Sequence, residues 1–112
     1  IPIKLAKVVN GDILTNFVPG FPGSIVKAAF AVSDPVVTAG KAAALNLEIN
    51  AVNLTGGVIS LTSANCTPLG AVVAGTAITA NNAFSATDSI SVEASGVTAF
   101  TEGEGVLLLT LG

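Results

Sequence analysis

The fold class is decided by the stretch ALNLEIN, residues 44–50. In an extended backbone, Leu45, Leu47 and Ile49 fall on one face. The polar residues Asn46, Glu48 and Asn50 fall on the other. Alternation of apolar and polar side chains is typical of a β-strand that has one face in a core and the other in water. The stretch therefore predicts a half-buried strand.

The same period of two recurs in other segments. Residues 58–62 and 89–94 repeat the alternation, with Ser60 and Thr62 or Ser89, Ser91 and Glu93 on the second face. Residues 25–33 alternate less cleanly, with Ile25, Lys27, Ala29 and Ala31 on the second face. Residues 106–111 are apolar on both faces, which is typical of a central strand or of a strand at a subunit interface. The predicted core consists of the inward-facing residues of these segments: Leu45, Leu47, Ile49, Ile59, Leu61, Ile90, Val92, Leu107 and Leu109.

Turn-forming residues separate the predicted strands at intervals of about ten residues, the spacing of a sandwich or barrel of short antiparallel strands. Examples are Asn10-Gly11, Gly56-Gly57 and Ser95-Gly96, where Asn and Gly tolerate positive φ. The predicted fold is all-β, an antiparallel, jelly-roll-like β-sandwich of short strands with an extended N-terminal arm.

The N-terminal segment differs from the rest of the chain. Residues 1–16 hold two of the four lysines, and a Pro/Gly-rich hinge follows at residues 19–23. The predicted organisation is therefore an arm or first strand plus hinge at residues 1–23 and a single sandwich domain at residues 24–112. Two interpretations remain open here: an arm that pairs with a neighbouring subunit's sheet, or an ordinary strand of the same sandwich.

Composition favours self-assembly. The chain is 51% hydrophobic and only 10% charged, so few polar side chains are available to cover the outside of a monomer. The alternative is that small Ala and Gly residues raise the mean hydropathy without forming apolar patches. The candidate subunit-contact residues lie in the N-terminal segment, the hinge and the last strand: Ile3, Leu5, Val9, Phe17, Phe21 and Leu108.

The residue types that carry most enzyme chemistry are missing. The chain has no His, Arg, Trp, Tyr, Met or Gln, so it lacks an imidazole base and a guanidinium clamp for phosphate. We expect no enzyme, no catalytic residue, no cofactor and no metal site. A net charge of −3 with four lysines argues against nucleic acid as a partner, and no polybasic or long apolar segment predicts a membrane partner.

The seven carboxylates and the single cysteine are interpreted structurally. Asp residues stand at turns, and Glu48 and Glu93 fall on the solvent faces of strands, in no recognisable calcium-loop spacing. Glu102 and Glu104 form an exposed pair that could instead meet a cation. Cys66 has no neighbour that would activate a thiolate, so we expect a small buried apolar group.

Three stretches together resemble a known class of protein. They are residues 34–49 (DPVVTAGKAAALNLEI), 53–57 (NLTGG) and 91–103 (SVEASGVTAFTEG), within the part of the chain from about residue 30 to 112. This part resembles the small β-rich domains of tailed-bacteriophage virion proteins, of the kind found as capsid decoration proteins and in head fibres. The motifs are structural, so the resemblance implies no site residues.

The resemblance implies a homo-oligomer, often a trimer, on the outer capsid surface of a virion, where it clamps and stabilises the shell. The implied partners are copies of this chain and the major capsid protein or another virion protein. The alternative is a subunit of an extracellular filament or surface layer that assembles by β-strand exchange through residues 1–16.

Overall fold

The computed structural model describes all 112 residues apart from the side chain of Asn16. A single 3-10 turn lies at Leu5–Lys7, and no helix in the described chain has the length and apolarity to cross a bilayer. The other regular elements are ten strands: β1 (Pro2–Lys4), β2 (Gly11–Phe17), β3 (Gly23–Asp34), β4 (Ala42–Ile49), β5 (Val52–Asn53), β6 (Ile59–Thr62), β7 (Val72–Ala74), β8 (Ala83–Phe84), β9 (Ile90–Thr98) and β10 (Glu104–Leu111).

The strands form two sheets packed face to face. The first sheet has the order β1-β10-β3-β7, with β8 also paired to β3, and the second has the order β2-β9-β4-β5, with β6 also paired to β4. Every pairing is antiparallel. The predicted all-β antiparallel sandwich is confirmed, while its jelly-roll connectivity stays a prediction.

The core lies between the two sheets and is built from alternate residues of the long strands. Eight of the nine predicted core residues are buried, and Leu109 is half-buried and packs against them. Phe30 of β3, which is completely buried, lies beneath β10 at the point where β10 has Gly105. A Cβ at residue 105 would overlap the Phe30 ring, so the glycine permits this close approach of side chain and backbone.

The N-terminal segment belongs to the sandwich of its own chain. β1 pairs with β10 through Pro2↔Val106 and Ile3↔Gly105, and the Leu5 N–H donates to the Gly103 carbonyl at 2.9 Å. β2 pairs with β9 in the other sheet. Of the two interpretations of this segment, these contacts favour an ordinary strand of the same sandwich, since residues 1–17 supply one strand to each sheet.

Candidate functional site

An apolar opening on the surface lies along the C-terminal half of β10. It has a volume of about 380 Å³ and is bounded by β10 on one side and by the segment that follows β2 on the other. We call it the edge groove and define it by its lining residues: Ile1, Phe17, Pro19, Phe21, Ile90, Leu107, Leu108, Leu109 and Leu111. All of these side chains are apolar.

The backbone of β10 is only partly paired along this groove. Ile1 and Leu107 exchange two hydrogen bonds, at 3.0 and 2.7 Å, and β1 covers β10 from there toward Glu104. From Leu109 to Leu111, β10 is paired to β3 on one side, and none of the described strands pairs with its other side. The groove therefore runs beside an exposed sheet edge, where backbone N–H and C=O groups are free to pair with another strand.

The groove wall opposite β10 is held in place by aromatic packing. Phe21, in the connection between β2 and β3, makes an edge-to-face contact with Phe84, with ring centroids 6.2 Å apart. Phe84 is 4% exposed and pairs with Gly23 at the start of β3, so it anchors the connection to the core. Phe21 itself remains 50% exposed, which leaves one face of its ring open to the groove.

The structure separates the six predicted contact residues into three groups. Phe17, Phe21 and Leu108 line the edge groove and are each more than two-fifths exposed. Val9 is also exposed but lies outside the groove, and Ile3 is half-buried against the core. Leu5 differs from the other five, because its side chain is completely buried within its own subunit and offers no surface there for a subunit contact.

A second feature is an acidic cluster on the outer face of the second sheet. Asp12 of β2, Glu48 of β4 and Glu93 of β9 each place a carboxylate oxygen within 4.8 Å of the others. We call these three residues the carboxylate cluster. Register explains it, because Asp12 pairs with Glu93 and Glu93 pairs with Asn46, two residues before Glu48 on the same face of β4.

Glu48 lies in an unusual environment for a carboxylate. Its side chain is 8% exposed, although it projects from the outer face of the sheet. Burial raises the pKa of Glu48, and the nearby charges of Glu93 and Asp12 raise it further. A side-chain hydrogen bond with Asp12 raises the pKa of Glu48 in the same direction, because it favours the protonated carboxyl.

The loop carboxylate at Glu102 has a different role. One of its oxygens accepts the backbone N–H groups of Val37 and Thr38, at 3.1 and 3.0 Å, and the other accepts the Thr38 and Thr101 hydroxyls, at 2.6 and 2.7 Å. The Thr38 and Thr101 hydroxyls, with the backbone bonds, lower the pKa of Glu102 to about 2. Both oxygens are occupied in bracing the loop, so Glu102 and Glu104 do not form an open cation site.

Cys66 is completely buried and is not in a disulfide. Burial raises the pKa of its thiol, which keeps the group protonated and unreactive at neutral pH. The expectation of a buried, apolar cysteine agrees with this position.

Sequence reasoning assigned the members of the carboxylate cluster one by one and did not bring them together. Glu48 and Glu93 were expected on solvent faces, and Asp12 was expected at a turn. Each lies on a different strand, and only the pairing of those strands places the three oxygens side by side. The spacing of the three residues along the chain contains no signal for this arrangement.

Comparison with known proteins yields no relative for the chain. No protein-family model, no curated protein and no solved structure matches it.

Proposed function

We propose that this chain is a non-enzymatic structural subunit that assembles with copies of itself, each copy accepting a strand of its neighbour at the β10 edge. The observation that carries the proposal is the edge groove, in which exposed apolar side chains line an unpaired stretch of sheet. Strand addition of this kind takes its affinity from main-chain hydrogen bonds and its specificity from alternate side chains that enter the groove.

A second copy of the same chain is the occupant that the surface favours. Phe17, Phe21, Leu108 and Leu111 are between 42% and 50% exposed and lie together, whereas lysines and carboxylates are absent from the groove lining. A chain that is 51% hydrophobic and 10% charged has many apolar segments that could pack into the groove of a second copy. A head-to-tail contact of this kind, repeated around a three-fold axis, closes a trimer.

The chemistry of the chain supports a structural role rather than catalysis. It has no His and no Arg, its single thiol is buried, and the Glu102 carboxylate is fully engaged in bracing a loop. None of these groups supplies a positioned base or an activated nucleophile.

The setting of the assembly follows from the resemblance to tailed-bacteriophage virion domains. In that setting the oligomer decorates and stabilises the outer capsid surface, with the major capsid protein or another virion protein as the second partner. The alternative, a filament or surface-layer subunit outside the cell, uses the same edge for strand exchange. Electron microscopy of particles from the native source separates the two, because the first places the chain on an icosahedral shell and the second on a fibre or sheet.

Assembly itself is tested by placing a charge in the groove. Leu108→Lys introduces an ammonium group at a position that is 47% exposed in the free subunit, so the fold should tolerate it while an apolar contact should not. The matched control is Leu69→Lys, at a position that is 66% exposed and outside the groove. Leu111→Lys, at the end of β10, provides a second groove variant.

Sedimentation velocity over a range of concentrations gives the readout. We expect oligomers for the wild-type chain and for Leu69→Lys, and association weakened by at least about tenfold for Leu108→Lys and Leu111→Lys, since a charge at the centre of an interface typically has an effect of this size. Far-ultraviolet circular dichroism verifies that both variants are folded. A wild-type chain that stays at 10.9 kDa at every concentration, or groove variants that assemble as the control does, would refute the proposal.

A further inference from the structure

We propose that the outer face of the first sheet is a second self-association surface, on which two copies of this chain pack face to face with their strands antiparallel. The surface is built from the outward-facing residues of β1, β10, β3 and β7. We call it the sheet face and define it by four rows of paired residues: Lys4 and Glu104; Pro2, Val106, Ala31 and Val72; Leu108, Ala29 and Ala74; Thr110 and Lys27.

The alternation of the strands directs these residues away from the core. Leu107 of β10 and Phe30 of β3 are buried, so their neighbours along each strand point outward. In β7, Val73 packs against the core while Val72 is 62% exposed. Six members of the sheet face line one depression of about 510 Å³ and therefore lie together on one surface: Lys27, Ala29, Val72, Ala74, Leu108 and Thr110.

The outer faces of the two sheets differ in chemistry. The two middle rows of the sheet face consist only of Ala, Val, Leu and Pro. The second sheet instead directs carboxylates and a hydroxyl outward, at Asp12, Glu48, Glu93 and Ser91. A polar outer face is usual for an antiparallel sheet in contact with water, and a continuous apolar one marks an interaction surface. The contrast indicates that the first sheet is the one that another protein covers.

Charges at the two ends of the sheet face identify a second copy as the occupant. Lys27 is the charged residue of the last row, and the opposite end carries Lys4, Glu104 and Asp34, one lysine against two carboxylates. Half a turn about an axis across the strands lays apolar rows on apolar rows and brings Lys27 of each copy over the acidic end of the other. Stacking with parallel strands would instead place Lys27 over Lys27. The sheet face is therefore complementary to itself in the antiparallel orientation.

The size of the sheet face predicts a weak dimer. Four strands about 4.8 Å apart, and the eight residues of β10 at about 3.4 Å each, span roughly 19 Å by 27 Å, or about 500 Å² per copy. Two copies would bury about 1,000 Å² together, which is at the lower limit for specific interfaces. We therefore expect a Kd on the order of 10⁻⁵ to 10⁻⁴ M.

The sheet face and the edge groove share only Leu108, so the test leaves that residue unchanged. Leu111→Lys serves as the background because it disrupts the edge groove alone. In this background, Val72→Lys adds an ammonium group to a middle row of the sheet face. The matched control is Val52→Lys, which makes the same change in β5 of the second sheet, at a position that is 60% exposed where Val72 is 62% exposed.

Sedimentation equilibrium from about 10 µM to about 1 mM covers the expected Kd. The Leu111→Lys chain should approach twice its 10.9 kDa with rising concentration, and so should the chain that also carries Val52→Lys. Val72→Lys should raise the Kd by at least about tenfold, because it buries an unpaired charge in the contact. Far-ultraviolet circular dichroism verifies that each variant is folded.

Charge reversal tests the orientation of the two copies. Lys27→Glu and Glu104→Lys should each weaken dimerisation by about three- to tenfold, and the double variant should return to within about twofold of the starting chain. The two residues lie about 20 Å apart within one subunit, well beyond the Debye length of about 8 Å, so this coupling arises between copies. Lys41→Glu, which makes the same change in net charge just before β4 of the second sheet, is the control.

The proposal is overturned if Leu111→Lys remains a monomer up to about 1 mM, in which case a different protein covers the sheet face, or if Val72→Lys and Val52→Lys dimerise alike. An absence of coupling between Lys27 and Glu104 overturns the antiparallel orientation. The edge contact is judged separately: if Leu111→Lys weakens the association of the wild-type chain and Val72→Lys does not, the edge groove stands and the sheet face falls. The reverse result removes the edge groove and keeps the sheet face.

Discussion

Leu5→Ala is the substitution that decides whether the N-terminal segment is an integral part of the subunit. In the structure the Leu5 side chain is completely buried, and its backbone N–H is bonded to Gly103. Truncation to Ala removes apolar contact and leaves a cavity, which for fully buried leucines costs about 2–5 kcal/mol. A domain of this length has a total stability of roughly 6–17 kcal/mol, so the loss is a large fraction of the whole.

The measurement is urea unfolding followed by far-ultraviolet circular dichroism, since a chain without Trp or Tyr has no useful intrinsic fluorescence. Leu47→Ala is the matched control, because Leu47 is 2% exposed in the middle of β4 and belongs to the core on any interpretation of the N-terminus. We expect both variants to lower the midpoint by comparable amounts with little change in the slope m.

The opposite result would refute the assignment of β1 to its own sheet. If Leu5→Ala costs less than about 0.5 kcal/mol while Leu47→Ala costs more than about 2 kcal/mol, Leu5 is not in the core of the free subunit. The N-terminal segment would then be an arm that docks elsewhere. If the N-terminal segment is integral, deletion of residues 1–9 should also destabilise the subunit, because it removes both Leu5 and the buried Val8 from the core.

The remaining predictions concern the pH dependence of stability, which has opposite signs at Glu48 and Glu102. Burial, with the charges of Glu93 and Asp12, raises the pKa of Glu48 above its ordinary 4.5, so its contribution to stability is present below pH 4.5 and is lost as the pH rises through its folded pKa. The unfolding temperature should fall over that interval, and in Glu48→Gln this fall should disappear. An unchanged pH profile in the variant would show that Glu48 is not its source. The pKa of Glu102 is lowered to about 2, so its contribution is lost as the pH falls from 4.5 toward 2, and Glu102→Gln should remove this acid sensitivity and speed amide exchange at Val37 and Thr38. Equal exchange rates at those amides in the variant and the wild-type chain would show that Glu102 does not brace the loop.

Local patterns predicted the fold because one face of each long strand is buried. Residues 44–50 were expected as a strand, and β4 covers Ala42–Ile49 with Leu45, Leu47 and Ile49 in the core. This alternation can be predicted without knowing which strands are partners, since it depends only on which face of the strand meets the core. Strand boundaries differed from the predicted ones by up to four residues, as at the end of β9, because the partner strand sets where a strand ends.

The double-sided segment at residues 106–111 was expected to lie centrally or at an interface. β10 lies between β1 and β3 in its first half and beside β3 alone in its second, where Leu108 and Leu111 are exposed. The sequence shows that both faces of this segment are apolar. It does not show which half of the strand is unpaired on one side, because that depends on where β1 begins to pair along β10.

The carboxylate cluster depends on the register between strands, which local sequence patterns do not contain. β2 pairs Asp12 with Glu93, which faces outward, and pairs Leu14 with Val92, which faces the core. Strict alternation would put residues 12 and 14 on the same face, so the register shift between them is what allows one to reach the outer cluster while the other packs inward. Such irregularities arise from the twist and packing of the assembled sheet.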